Sequence, residues 1–208
     1  MNSPYQTIHS FFDCYGLVHA RSMLRQIIKT ADSGKILKGD MPCDILYFTE
    51  KITKLTEAVF TIINTIDHRP EIILNKDINS NSWLLTVYDD YCGWHIGDTP
   101  WDFFPRHLSK KEFLDPYRAL EKFTRYRNLH QWKEVIKDLQ YHALSDIPID
   151  EFNDDKGILR TYIHLNKLIE ATHLIEVRIQ PDQSKPYRKW KDRLEKENQQ
   201  IPATTTIK

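Results

Sequence analysis

The chain has 208 residues, with 29 Lys plus Arg against 29 Asp plus Glu, 40% hydrophobic residues, six glycines and three cysteines. That length buries a core without covalent staples, and the balanced charge removes any whole-chain attraction to nucleic acid or acidic membrane. Cys14, Cys43 and Cys92 form no CxxC pair, so neither a disulfide framework nor a zinc ribbon is supported.

The composition describes a helix-rich globule. The first residues lack the basic and apolar regions of a secretory leader, and no apolar run approaches the ~20 residues a bilayer needs, so a reducing, cytoplasmic setting is expected. Ser3 followed by Pro4 has the chemistry of an N-cap with proline at the first helical position. Ile8, Phe11, Phe12 and Tyr15, then Leu24, Ile27 and Ile28, keep a helical spacing toward Thr30. The spacing predicts one helix, weakened at Gly16 and stopped by Asp32, Ser33 and Gly34.

Pro42 and Asp44 open a second helix whose apolar residues follow a seven-residue rule without a miss. Ile45, Ile52, Val59 and Ile66 hold one position of the repeat, and Phe48, Leu55 and Ile62 hold the position three later. The stripe they draw runs along a helix of about six turns and must be buried. Leu46, Tyr47, Phe60 and Ile63 widen the apolar arc beyond a coiled-coil seam. The helix is therefore expected at the centre of a bundle, against helix one and against helices over 129–145 and 157–175. An arc left half exposed would instead mark a dimer interface.

Asp67, His68, Arg69 and Pro70 end this helix, and the polar run over 75–82 reads as a loop. Residues 83–91 satisfy both the helical and the strand period. GWHIGDTPWDFFPRH, over 93–107, combines two glycines and two prolines with four large aromatics, and reads as irregular backbone anchored by its own side chains. Ser109 with Glu112 makes a capping box, Asp115 with Pro116 a second entry, and Asn128 with Gln131 a third. They predict helices over 110–114, 116–126 and 129–145, with Trp132, Val135, Ile136, Leu139, Ala143 and Leu144 facing inward on the last.

Asp154 or Asp155 can cap a further helix, on which Ile158, Leu159, Tyr162, Ile163, Leu165, Leu168, Ile169 and Ile175 face inward. Beyond Arg178 the composition turns to Lys, Arg, Gln and Pro. The pattern as a whole is all-α: a helical bundle of about six helices with an aromatic-rich irregular insert. A single helical domain is expected over 1–180, followed by a charged C-terminal extension over 181–208 whose composition predicts partial disorder.

No two of the nine histidines lie three or four residues apart, so no helix presents a His pair to one ion. Glu170-Ala-Thr-His173 is a single ExxH, the unit that di-iron carboxylate bundles use twice. With one copy it reads as a surface pair near a helix end, and no metal or cofactor is expected. Asn153, Asp154, Asp155 and Gly157 fail the EF-hand register, because Phe152 and Ile163 fall where Asp and Glu are needed.

Asp89, Asp90, Cys92, Trp94 and His95 bring acids, a thiol and an imidazole into aromatic surroundings, the composition of a small-molecule pocket. The competing account is that Trp94, Trp101, Phe103 and Phe104 plug the end of the bundle while the acids stay wet. Lys185, Arg188, Lys189, Lys191 and Arg193 interleave with Trp190, which is the chemistry of phosphate contact and base stacking on single-stranded nucleic acid. A charged, solvated helix or a tail that docks on a partner accounts for the same run.

Residues 125–130, RYRNLH, carry an R-x4-H spacing and so resemble the motif of the HEPN ribonucleases. The resemblance covers six residues. It implies an all-helical protein working as a dimer, with Arg125 stabilising charge on the scissile phosphate and His130 as general base or acid toward the ribose 2′-OH. Asn128 as an N-cap instead leaves Arg125 on one helix and His130 in the first turn of the next. The function most compatible with the whole pattern is a non-enzymatic interaction or structural module, acting through a protein partner or self-association, with no membrane. RNA cleavage or nucleic-acid binding is the alternative.

Overall fold

Capping groups set several of the helix boundaries in the computed structural model, which describes residues 3–33, 42–65, 69–70, 104–149 and 157–179. Among the described residues there are seven helices and no strand: α1 (Pro4–Cys14), α2 (Leu17–Ser33), α3 (Pro42–Thr65), α4 (Lys110–Leu114), α5 (Tyr117–Tyr126), α6 (Leu129–Leu144) and α7 (Gly157–Arg178). The fold is all-α and bundle-like, as expected. At the head of α1 the Ser3 N–H donates to Gln6 Oε1 at 3.0 Å. At α4 the Ser109 N–H donates to Glu112 Oε2 at 2.8 Å, and Ser109 Oγ accepts the Glu112 N–H at 3.4 Å. At α6 Asn128 and Gln131 exchange the same pair of bonds, each at 2.9 Å. Each box satisfies amide groups that a helix end leaves without an intrahelical acceptor.

The single helix expected over the first thirty residues is two helices. Tyr15 is extended, at φ −131° and ψ 114°, and α2 begins beyond Gly16. Two effects favour the break. Glycine is costly inside a helix, and the bend lets Tyr15 bury its ring against Phe11 at 5.7 Å and against Phe48 of α3 at 5.2 Å.

The heptad stripe of α3 is buried. Ile45, Phe48, Ile52, Leu55, Val59 and Ile62 are each no more than 2% exposed, and Ile66 lies outside the described residues. Thr49 and Thr56 share the buried side and return their hydroxyls to the carbonyls of Ile45 and Ile52 at 2.8 Å, so no polar group is stranded there. The main neighbours of α3 are α1, α6 and α5. The expectation that it rests on the helix over 157–175 is corrected, because α7 packs chiefly on α2 and α5 and then on α1 and α4. Helices α1, α3, α6, α2 and α7 thus close a ring of pairwise contacts, with α5 bridging α3 and α7.

One hydrophobic cluster draws residues from all seven helices. Trp132 of α6 is fully buried, stacks on Phe123 of α5 at 4.2 Å and 7°, and donates its Nε1–H to the Phe123 carbonyl at 3.2 Å. Leu159, expected to face inward, is 57% exposed, and Thr161 takes the buried place in that turn. Of the aromatic insert only 104–107 are described, and they are non-helical. The extension over 181–208 lies outside the described residues.

Candidate functional site

The middle of α7 turns a carboxylate toward α2 and the segment that leads into α4. Glu170, with its side chain fully buried, accepts the Arg21 Nη2 at 2.6 Å, the Arg106 N–H at 3.0 Å and the His107 Nδ1 at 2.9 Å on one oxygen. The other oxygen accepts the N–H groups of His107 at 2.9 Å and Leu108 at 3.2 Å. Burial works to raise its pKa, but the hydrogen bonds from His107 and the Arg21 charge outweigh it and hold the carboxyl below its usual range. Arg21 also donates to the Phe104 carbonyl at 2.6 Å, so one ion pair fixes both ends of 104–108.

This overturns the expectation of a surface pair at Glu170 and His173. Both are buried, and the Glu170 lone pairs are taken by five donors from the protein itself rather than turned toward an ion. Among the described residues no group of three or more His, Cys, Asp or Glu side chains is arranged to hold a metal. His173 stands edge-on to Phe12 at 5.0 Å. Burial drives its imidazole pKa down to about 3, and the positive charges of Arg21 and Arg178 act in the same direction.

Glu112 does more than cap α4. Its buried carboxylate takes Lys122 Nζ of α5 at 2.8 Å and Lys167 Nζ of α7 at 2.9 Å in addition to the Ser109 amide. Burial opposes its ionisation, yet these partners hold its pKa down to about 2. Further along, the Tyr126 ring stacks on His164 at 4.1 Å and 11°, and Arg127 Nη1 donates to Thr161 Oγ1 at 2.8 Å. Three cross-links in reverse order therefore join α5, with the residue after it, to α7: Lys122 with Lys167 through Glu112, Tyr126 with His164, and Arg127 with Thr161. Burial and the nearby charges of Lys167, Arg127 and Arg160 hold the His164 imidazole below its ordinary pKa.

On the other side of the molecule, the first turns of α3 leave Leu46 at 45% and Tyr47 at 46% exposure. Cys14 Sγ lies 3.5 Å from Tyr47 Oη, and Lys51 Nζ stands 4.9 Å over the Tyr47 ring. Grooves of about 320 and 370 Å³ flank this helix, one against α1 beside Lys51 and Lys54, the other against α6 beside Glu50, Glu57, Lys133 and Lys137.

The residues singled out from sequence fall as follows. Arg125 is in the last turn of α5, 80% exposed, with Glu121 on the same helix as its carboxylate neighbour at 4.0 Å. His130 is exposed in the first turn of α6. Arg127 and Asn128, both extended, separate the two helices, as the Asn128 cap required. Asp89, Asp90, Cys92, Trp94 and His95 lie outside the described residues, as do Lys185, Arg188, Lys189, Trp190, Lys191 and Arg193. Sequence reasoning missed the Arg21–Glu170 pair and the α5–α7 cross-links. Arg160, His164 and Lys167, spaced i, i+4 and i+7, were the one local sign of the latter.

Compared with known protein families, with curated proteins and with solved structures, the chain matches none. Among the described residues no helix is long and apolar enough to cross a membrane.

Proposed function

We propose that the chain is a non-enzymatic helical interaction module that works through protein–protein contact, with a second copy of itself as the partner, in a reducing, cytoplasmic compartment. The observation that supports this is the two-sided use of α3. Its inner stripe is core, while Leu46 and Tyr47 stand exposed side by side on its outer surface. Covering them recovers roughly 25 cal/mol per Å² of apolar surface removed from water. One turn further along α3 the flanking residues carry both signs of charge, Glu50 beyond Leu46 and Lys51 over the Tyr47 ring. A two-fold contact sets a patch against its own copy, and a mixed-charge rim around an apolar pair is self-complementary in that arrangement. Cys14 and Cys43, both free and exposed, fit the reducing compartment.

Sedimentation velocity across a range of concentrations tests this. A monomer–dimer equilibrium is expected, shifted to monomer by Leu46→Glu with Tyr47→Glu while the far-UV circular dichroism stays unchanged. A monomer at every concentration, or a dimer indifferent to both changes, overturns self-association. RNA incubated with the protein is expected to stay whole. Cleavage abolished by Arg125→Ala or His130→Ala would decide for the ribonuclease alternative.

A further inference from the structure

The cross-linked seam between α5 and α7 concentrates positive charge in a chain whose total is zero. Lys122, 61% exposed, and the half-buried Arg127 edge it on one side. On the other side Arg160, exposed, and Lys167, 20% exposed, sit with His164 on one face of α7 over a span of about 10 Å. Among the described residues Glu112 is the carboxylate set within the seam, and Ser109, Lys122 and Lys167 already occupy both of its oxygens. Among the described residues the seam is thus left with an excess of three positive charges, from Lys122, Arg127, Arg160 and Lys167 against Glu112. The contacts with Glu112 hold Lys122 and Lys167 in register on their helices, and the bond to Thr161 ties Arg127, the residue after α5, to the first turns of α7, on which Arg160 also lies.

We propose that this seam is a phosphate-binding track for single-stranded nucleic acid. Cations repeated along two antiparallel rows suit a polyanion with regularly spaced charges better than one isolated phosphate group. A membrane surface calls for a broad basic face with apolar residues that insert, whereas this is a narrow line. The track lies on α5 and α7, away from Leu46 and Tyr47 of α3, so it goes beyond the self-association surface and fails or stands independently of it. It also differs from the Arg125 and His130 motif: it binds strands and needs no cleavage.

Fluorescence anisotropy of the full chain with a labelled single-stranded RNA, titrated with salt, is the test. The logarithm of the binding constant is expected to fall linearly with the logarithm of salt concentration, at about 0.7 per phosphate contacted. Arg160→Ala and Lys122→Ala are each expected to weaken binding across different sequences and to take about 0.7 off that slope. Lys29→Ala, on the exposed face of α2, is the control and leaves both unchanged. Circular dichroism of the same variants reports that the helices are intact. Absence of binding at low salt, a slope indifferent to Arg160 and Lys122, or an equal loss in Lys29→Ala overturns the proposal. Binding to vesicles of anionic phospholipid without binding to RNA overturns it in favour of a membrane surface.

Discussion

Arg21 of α2 and Glu170 of α7 meet at 2.6 Å with side chains only 7% and 0% exposed, across 149 residues of sequence. A buried pair of this kind is not by itself a strong stabiliser, because both ions have left water. Removing one partner is another matter, since it strands the other. Glu170→Gln is expected to destabilise the protein by about 3–5 kcal/mol, read as a fall in the urea midpoint at constant m-value. Adding Arg21→Met takes away the stranded cation and should restore part of that loss, although the amides of 106–108 still lack their second acceptor oxygen. A Glu170→Gln variant as stable as the parent would contradict the role given to this pair.

Acid is expected to unfold the protein in two overlapping stages. The His173 pKa is lowered from 6.5 to about 3 in the folded state, within reach of the charges of Arg21, Arg178 and Glu170. The unfolded chain therefore takes up this proton first, and stability falls as pH drops from 6.5 toward 3. His164, also lowered, acts in the same sense. Glu112, at about 2 against 4.5, contributes stability that is complete above pH 4.5 and lost as pH falls toward 2. Each group adds at most about 1.4 kcal/mol per pH unit within its own window. Unfolding free energies measured from pH 7 to pH 4 should therefore decline, and His173→Gln should make the decline between 6.5 and 4.5 shallower. An unchanged slope in that variant counts against a neutral, buried His173.

What was legible in the sequence is what local chemistry decides. The α3 stripe needed only its period and the burial that an apolar stripe demands. The caps at Ser109 and Asn128 needed only a side chain within reach of an amide three residues on. The break at Tyr15 was hidden because it serves a contact with Phe48, which belongs to another helix. Leu159 matched a helical face that, at the first turn of α7, no neighbour among the described residues covers. Glu112 was visible as a capping residue, but Lys122 and Lys167 reach it only once three helices are assembled. The same holds for Glu170, whose ExxH spacing pointed to an ion that its five protein donors replace.

The Asn128 box offers a local test of how independent these boundaries are. Asn128→Ala removes the acceptor of the Gln131 N–H and should cost about 1 kcal/mol, with Gln131→Ala smaller. Asn128→Asp should hold most of the stability, since it keeps the acceptor and places a negative charge at the α6 N-terminus. Thermal unfolding of the three variants ranks them. Equal losses in alanine and aspartate would mean that the bond to Gln131 contributes nothing.

Trp132 joins α5 to α6 through two separable contacts, its stack on Phe123 and its bond to the Phe123 carbonyl. Trp132→Ala creates a cavity where the side chain is fully buried and should destabilise by about 3–5 kcal/mol. Trp132→Phe keeps a ring against Phe123 but leaves that carbonyl without its donor in a dry environment, which costs about 1–3 kcal/mol. A double-mutant cycle of Trp132→Leu with Phe123→Leu, in which each single change removes one ring, isolates the stacking energy, expected at about 0.5–1.5 kcal/mol beyond the area buried. A coupling near zero would assign the contribution of Trp132 to volume and the hydrogen bond alone. Because α5 also carries the Lys122 and Tyr126 side of the seam, and the Arg127 guanidinium lies 5.2 Å over the Trp132 ring, losing this junction should weaken any binding there while every cation of the seam is retained. The salt slope of such a variant should then stay as in the parent while its affinity falls.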